Sequence, residues 1–335
     1  MERLFPQEDG VTEVADNSGP HSSGPIAITS EPQFTAGVDV LAAHGDSLEF
    51  LKTVPSGLAR LIVASPPYNM GKAYEDRLEL DQYLDDQLAV LTECVRVLDS
   101  TGSLCWEVGN HVDSGEVFPL DVFFYDILKR KLGLKLRNRI VWSFEHGLHA
   151  RKRFSGRYEV VLWFTKGDSY VFNLDPVRVP QKYPGIRYYK GPKQGQLSGN
   201  PLGKNPGDIW QFLSSEWDRE IWDIPNVKWN HPEKTFHPSQ FPIELVERLV
   251  LALTHPGDTV LDPYMGVGSS LLAAVLHGRK AIGVDKTQAY VDQAIDRIAA
   301  AFGATVRRRP FGASKYVPTG NEKVAQRPVE CGKQG

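Results

Sequence analysis

Two short segments of this 335-residue chain combine residue types that could do chemistry on a planar, nitrogen-bearing ligand. The first is Ser65-Pro66-Pro67-Tyr68-Asn69, which ends the apolar run Leu58 to Ala64. Proline pairs do not continue strands. They fix the backbone, so the Pro66 carbonyl is left as an acceptor with no amide partner inside the chain. Ser65 adds a hydroxyl acceptor and Tyr68 a flat aromatic face, and an amino group on a planar base would satisfy all three. Such an amine has its lone pair delocalised into the ring. Two acceptors taking its hydrogens make the nitrogen more tetrahedral and more nucleophilic. Taken alone, the segment also reads as a rigid proline turn with no ligand.

The second segment, Val260-Leu261-Asp262-Pro263-Tyr264-Met265-Gly266-Val267-Gly268-Ser269, is a strand running into a glycine turn that opens a helix. Gly266 and Gly268 would let backbone approach a ligand closely. Leu271 stands where a dinucleotide-binding fingerprint needs its third glycine, which weighs against NAD. Seventeen residues after Gly268, the run Ala281 to Val284 delivers Asp285 to the next strand end. That is about where an acidic side chain meets ribose hydroxyls, so the pattern implies a nucleoside without phosphates. Gly45-Asp46 is a further candidate for that site, and alone reads as a turn.

The elements that must position these residues alternate short apolar runs with helix-length amphipathic segments, the pattern of an α/β sheet with helices on both faces. Leu58 to Ala64 is expected as the first strand, Leu80 to Leu98 as a helix and Ser103 to Val108 as the next strand. Tyr158 to Thr165 and Ser169 to Phe172 flank Lys166-Gly167-Asp168, a hairpin signal. Residues 177–230 are rich in Gly, Pro, Lys and aromatics with little period, as in a loop-rich insertion. Pro242 to Leu253, Ser269 to His277 and Tyr290 to Phe302 are expected helices, with strands at Thr259 to Leu261 and Lys280 to Val284. The chain divides accordingly into a disordered tail over 1–34, a catalytic half over 35–176, the insertion, a cofactor-binding half over 231–311, and a disordered tail over 312–335.

Composition narrows the class further. The formal net charge is -3, yet Lys129 to Lys204 holds 17 Lys and Arg against four acids. A segregated basic block is a candidate polyanion-binding surface, and its plainer reading is a solvated basic loop. Within it, Arg151, Lys152, Arg153 and Arg157 are candidates to clamp phosphates, and otherwise read as an ordinary basic loop. Three cysteines without a C-x-x-C spacing indicate neither a disulfide framework nor zinc, and no metal site is expected. No run is long and apolar enough for a membrane helix, and the first residues carry charges and a proline where a signal peptide needs an apolar core. A cytoplasmic protein is expected.

The two segments, in this order, resemble those of the beta-order group of DNA amino-methyltransferases, which act at adenine N6 or cytosine N4. Ser65 to Tyr68 is similar to that family's D/N/S-P-P-Y motif, and Asp262 to Ser269 to its D-P-F-x-G-S-G-T loop. Glutamine methyltransferases that carry N-P-P-Y place the cofactor loop first. His237-Pro238-Ser239-Gln240-Phe241-Pro242 resembles the family's H-P-T-x-K-P segment, with Phe241 for its lysine and Val267 for a serine of the loop. The resemblance implies a doubly wound, Rossmann-like mixed sheet with S-adenosyl-L-methionine as cofactor and double-stranded DNA as partner. It further implies Ser65, Pro66, Pro67 and Tyr68 as catalytic, Asp285 on the ribose, and Asp46, His237, Asp262, Pro263, Gly266 and Gly268 around the cofactor. By the same resemblance the insertion helps choose the DNA sequence, a restriction endonuclease acting on the same site is a companion, and Ser65 points to cytosine N4 before adenine N6. The rival readings are an RNA or small-molecule N-methyltransferase sharing the pocket, and a DNA-binding protein with an inactive core. The residues fix neither the recognised sequence nor the oligomeric state.

Overall fold

A computed structural model describes residues 27–69, 77–144, 149–181, 183–210, 227, 231–303, 305–308 and 311. The strands are β1 (Ile28–Thr29), β2 (Val40–His44), β3 (Ala59–Ala64), β4 (Leu98–Val108), β5 (Asn110–Asp113), β6 (Glu116–Pro119), β7 (Lys135–Ser143), β8 (Tyr158–Thr165), β9 (Ile209–Trp210), β10 (Thr259–Asp262) and β11 (Lys280–Asp285). The α-helices are α1 (Ser47–Thr53), α2 (Leu80–Val97), α3 (Leu120–Tyr125), α4 (Ile243–Leu253), α5 (Ser269–Leu276) and α6 (Gln288–Phe302). One nine-stranded sheet runs in the order β1-β2-β11-β10-β3-β4-β8-β7-β9, and β5 pairs β6 apart from it. Pairing is parallel from β1 to β4, antiparallel on both sides of β8, and parallel again between β7 and β9.

The central strands are apolar on both sides because both sheet faces are covered. Successive residues divide between two cores: Val40, Ala42, Leu61 and Val63 pack with α4, α5 and α6, whereas Leu41, Ala43, Ile62 and Ala64 pack with α1 and α2. In α2 the buried residues Tyr83, Gln87, Val90, Leu91, Cys94 and Val97 form one stripe at helical spacing. Among the described residues no helix is long and apolar enough to cross a membrane.

Three expectations are corrected. The hairpin runs from β7 to β8, with Arg139 opposite Leu162 and Ser143 opposite Tyr158, and not through Lys166-Gly167-Asp168. Both edges of β8 are taken, by β4 and by β7, so Ser169 to Phe172 finds no strand to join. Instead Tyr170 and Phe172 pack their rings on Trp163, with centroids 5.7 and 5.6 Å away. The first strands precede Leu58: β2 and α1 supply a strand-helix unit, and β1 adds to the sheet edge, so residues 27–34 do not belong to a disordered tail. Residues 1–26 and 312–335, expected as disordered tails, lie outside the described residues. Of the stretch expected as an insertion, Val177, Val179 and Trp210 pack into the main core, and residues 182, 211–226 and 228–230 lie outside the described residues.

Candidate active site

In an open α/β sheet, ligands bind beyond the carboxyl ends of the strands where the strand order reverses. That point lies between β10 and β3, where Val260 sits beside Leu61 and Leu261 beside Ile62. From β10 the chain crosses to β11 on one side, and from β3 to β4 on the other. The two strand ends open into one cavity of about 480 Å³, within the range of small-molecule sites. Of the residues singled out in the sequence, Ser65, Pro66, Pro67, Tyr68, Asp46, His237, Gly266 and Asp285 line it. Asp262, Pro263 and Gly268 do not.

The Ser65 to Asn69 segment is held from several sides. The Tyr68 hydroxyl donates to Glu107 Oε2 at 2.8 Å and lies 3.1 Å from Ser65 Oγ. The Tyr83 hydroxyl donates to the Pro67 carbonyl at 2.7 Å, and His111 Nδ1 lies 3.2 Å from the Tyr68 carbonyl. Asn69 is buried in the left-handed region at φ 56°, and its amide exchanges two hydrogen bonds with the Leu78 backbone. Among the described residues no donor reaches the carbonyl of Pro66. Burial first, then the nearby Glu107 and Glu159 carboxylates, push the Tyr68 phenol well above its ordinary range. The ring is therefore a neutral, fixed surface. Gly109, following β4, closes behind it: a Cβ there would lie 2.9 Å from Tyr68 Cε2. Sequence reasoning missed Glu107 and Gly109. Both belong to the neighbouring strand or its end, and only the β3–β4 pairing brings them to Tyr68.

The other wall is the turn after β10. Gly266, at φ 49°, lies against His237, whose Nε2 would be 3.2 Å from any added Cβ. The His237 imidazole in turn meets the Tyr290 ring at a centroid distance of 4.6 Å, and its Nδ1 accepts from Ser239 N at 3.2 Å. Asp285 accepts from Gly266 N at 3.1 Å and Thr287 N at 2.8 Å, and burial raises its pKa above the usual carboxylate range. The Asp46 carboxylate caps α1 by accepting from Glu49 N at 3.0 Å, and Ser47 Oγ donates to the Pro263 carbonyl at 2.6 Å, tying α1 to the turn.

Asp262 has a different job from the one expected. It is fully buried, accepting from Tyr264 N at 2.9 Å and from the Ser270 hydroxyl, and so braces the turn from inside the sheet. Burial, reinforced by the Asp285 carboxylate and offset by those hydrogen bonds, pushes its pKa up to about 7. Gly268 is a packing glycine: at φ 74°, a Cβ would come within 2.7 Å of the Ala294 methyl on α6. Arg297 closes the same turn, donating to the Val267 carbonyl at 2.5 Å.

Arg151, Lys152 and Arg153 are exposed on the connection between β7 and β8, and Arg157 is partly so. None lines the cavity. Their loop leaves the sheet at β8, whose Val160 pairs with Val108 next to Gly109, so it rises beside the Tyr68 wall. Among the described residues no group of three His, Cys, Asp or Glu is placed to hold a metal ion.

Comparison with known proteins places this architecture. A family model described as DNA methylase, covering N6 and N4 methyltransferases, matches residues 59–296. The type II methyltransferase M.BglII of Bacillus subtilis is 47% identical over 250 residues, which cover 74% of this chain and 66% of the relative. The DNA adenine methyltransferase YhdJ of Escherichia coli (strain K12) is 34% identical over 264 residues, covering 76% of this chain and 81% of that one. The solved structure of a DNA modification methylase from Thermus thermophilus, complexed with S-adenosyl-L-methionine, superposes with a TM-score of 0.52 at 29% identity, over 78% of this chain and 95% of the other. With a family model spanning both walls of the cavity and relatives alike across most of its length, this chain belongs to the N6/N4 family of DNA methylases.

Proposed function

We propose that the protein transfers a methyl group from S-adenosyl-L-methionine to the exocyclic amino nitrogen of a base extruded from double-stranded DNA, with cytosine N4 as the target. The observation that carries this reading is the convergence of the Ser65 to Tyr68 segment and the Gly266–Asp285 turn on one cavity. The walls suit the cofactor. Gly266 offers bare backbone where His237 leaves a side chain little room, and Asp285 keeps acceptor capacity beside two backbone amides. When bound, S-adenosyl-L-methionine supplies an electrophilic sulfonium methyl.

The chain's own residues prepare the nucleophile. Among the described residues the Pro66 carbonyl has no competing donor, so it can accept one hydrogen of a base amine, and Ser65 Oγ stands next to it as a second acceptor. Tyr68 presents its ring for stacking, worth about 1–3 kcal/mol in comparable contacts, against an extrusion cost of a few kcal/mol. Glu107 holds the phenol, and through it the plane of the ring. The proton lost from nitrogen after transfer passes to solvent.

Serine at position 65 favours cytosine N4. The likeness to an E. coli adenine methyltransferase supports adenine N6 as the second reading. Arg151, Lys152, Arg153 and Arg157 hold backbone phosphates, the stretch 177–230 contributes to sequence choice, and a companion restriction endonuclease shares the site. Expression in a methylation-deficient host, followed by modification-sensitive sequencing of native DNA, tests the DNA substrate, the modified base and the site. N4-methylcytosine at one short motif is expected. N6-methyladenine there would move the target to the second reading, and unmodified DNA alongside methylated RNA would refute a DNA substrate.

A further inference from the structure

The loop between β7 and β8 carries more than phosphate contact requires. Phe154 is 100% exposed, the most exposed large apolar side chain among the described residues. It follows Arg151, Lys152 and Arg153 directly and precedes Arg157. The segment is a closed turn: Ala150 N donates to Ser155 Oγ at 3.1 Å, and Phe144 N to the Arg157 carbonyl at 2.8 Å. The ring is thus displayed from a braced tip, with Arg153 donating to the Phe154 carbonyl at 3.2 Å. Phosphates are held by cations and need no apolar ring, and a ring displayed among four cations is placed to enter an apolar slot beside the phosphates they hold. A stack of bases offers such a slot, and apolar wedges between base steps are an established way to unstack a duplex.

Placement puts this ring at the Tyr68 end of the sheet. Phe154 is four residues from Tyr158, where β8 begins, and an extended chain covers at most about 3.6 Å per residue. Its backbone therefore stands within about 14 Å of a strand whose next residue, Glu159, shares with Tyr68 the space behind Gly109. We infer that Phe154 is the wedge of this enzyme: it enters the duplex at the target step and occupies the space vacated by the extruded base, while the flanking cations hold the phosphates on either side. This rests on the base-extruding reading given above, and extends it to a residue outside the cavity.

Phe154→Ala tests it on two duplexes carrying the methylated motif, one fully paired and one with an abasic site opposite the target base, where extrusion is cheap. On the paired duplex the variant is expected to lose single-turnover methylation about ten- to hundredfold. On the abasic-opposed duplex it should lie within about threefold of wild type, with unchanged melting temperature. Phe154→Trp should retain activity on both duplexes. Wild-type rates for Phe154→Ala on the paired duplex, or equal losses on both duplexes, overturn the wedge. Failure of the underlying reading looks different: wild type itself would methylate neither duplex.

Discussion

Gly109→Ala is a perturbation whose effect can be worked from the geometry of the Tyr68 wall. The new methyl carbon would lie 2.9 Å from Tyr68 Cε2, 3.4 Å from Cδ2 and 3.5 Å from Glu159 Cγ. Non-bonded carbons settle near 3.5–4.0 Å, so the ring edge must retreat by about 0.6–1 Å. It has little freedom to do so. Its hydroxyl is fixed between Glu107 and Ser65, and the Pro67 and Tyr68 carbonyls are held by Tyr83 and His111. A displacement near 1 Å of a group that orients a reacting atom costs about 100-fold in rate. The overpacking itself costs about 1–3 kcal/mol of stability. We expect kcat for DNA methylation to fall about 30- to 100-fold, with cofactor affinity by calorimetry within about threefold of wild type. The decisive comparison uses the Tyr68→Ala background, where the space is already empty. There Gly109→Ala should change the residual single-turnover rate less than about threefold, because substitutions of touching neighbours are not additive. Full activity in Gly109→Ala, or the same reduction on top of Tyr68→Ala, would refute the role given to the ring's position.

The remaining predictions probe the other wall and the basic loop. Gly268→Ala places a side chain at φ 74° and 2.7 Å from the Ala294 methyl. It should lower stability by about 2–4 kcal/mol in denaturant melts, more than Gly266→Ala, whose main effect should be on cofactor affinity. Asp262 holds its proton to about pH 7 in the folded chain but only to its ordinary 3.8 when unfolded. Folding therefore takes up a proton between these values, and stability falls as pH rises through that window by up to about 1.4 kcal/mol per unit. Asp262→Asn should flatten this slope in melts followed from about pH 4 to pH 8, and an unchanged slope would place the titration elsewhere. Replacing Arg151, Lys152, Arg153 and Arg157 by Gln should reduce the log-log salt slope of DNA binding by about 0.9 for each phosphate these side chains neutralise. An unaltered slope would remove this loop from the DNA face.

How much was legible in the sequence depended on whether the cause was local. The run Leu58 to Ala64 followed by two prolines, and the strand Thr259–Asp262 followed by Gly266 and Gly268, declare strand ends and turns through residues next to one another in the chain. Strand β7 was missed because Lys135, Arg137 and Arg139 alternate with Leu136, Asn138 and Ile140, a polar pattern that reads as a strand only once β8 is beside it. The false hairpin at Lys166-Gly167-Asp168 failed for the same reason: a good turn signal cannot make a strand where both neighbouring edges are occupied.

The sequence by itself determined an α/β chain with a rigid acceptor-rich strand end, a glycine turn and an acid seventeen residues beyond it, because backbone sterics and pleat period act over a few residues. Only the tertiary structure decided that β3 and β10, far apart in the chain, lie side by side and open into one cavity. It also decided that Asp262 faces inward as a brace, that Gly268 is a packing contact, and that Glu107 holds Tyr68. Those outcomes rest on strand pairing and helix packing between distant segments, where burial and the satisfaction of polar groups are settled jointly by residues that no local pattern connects.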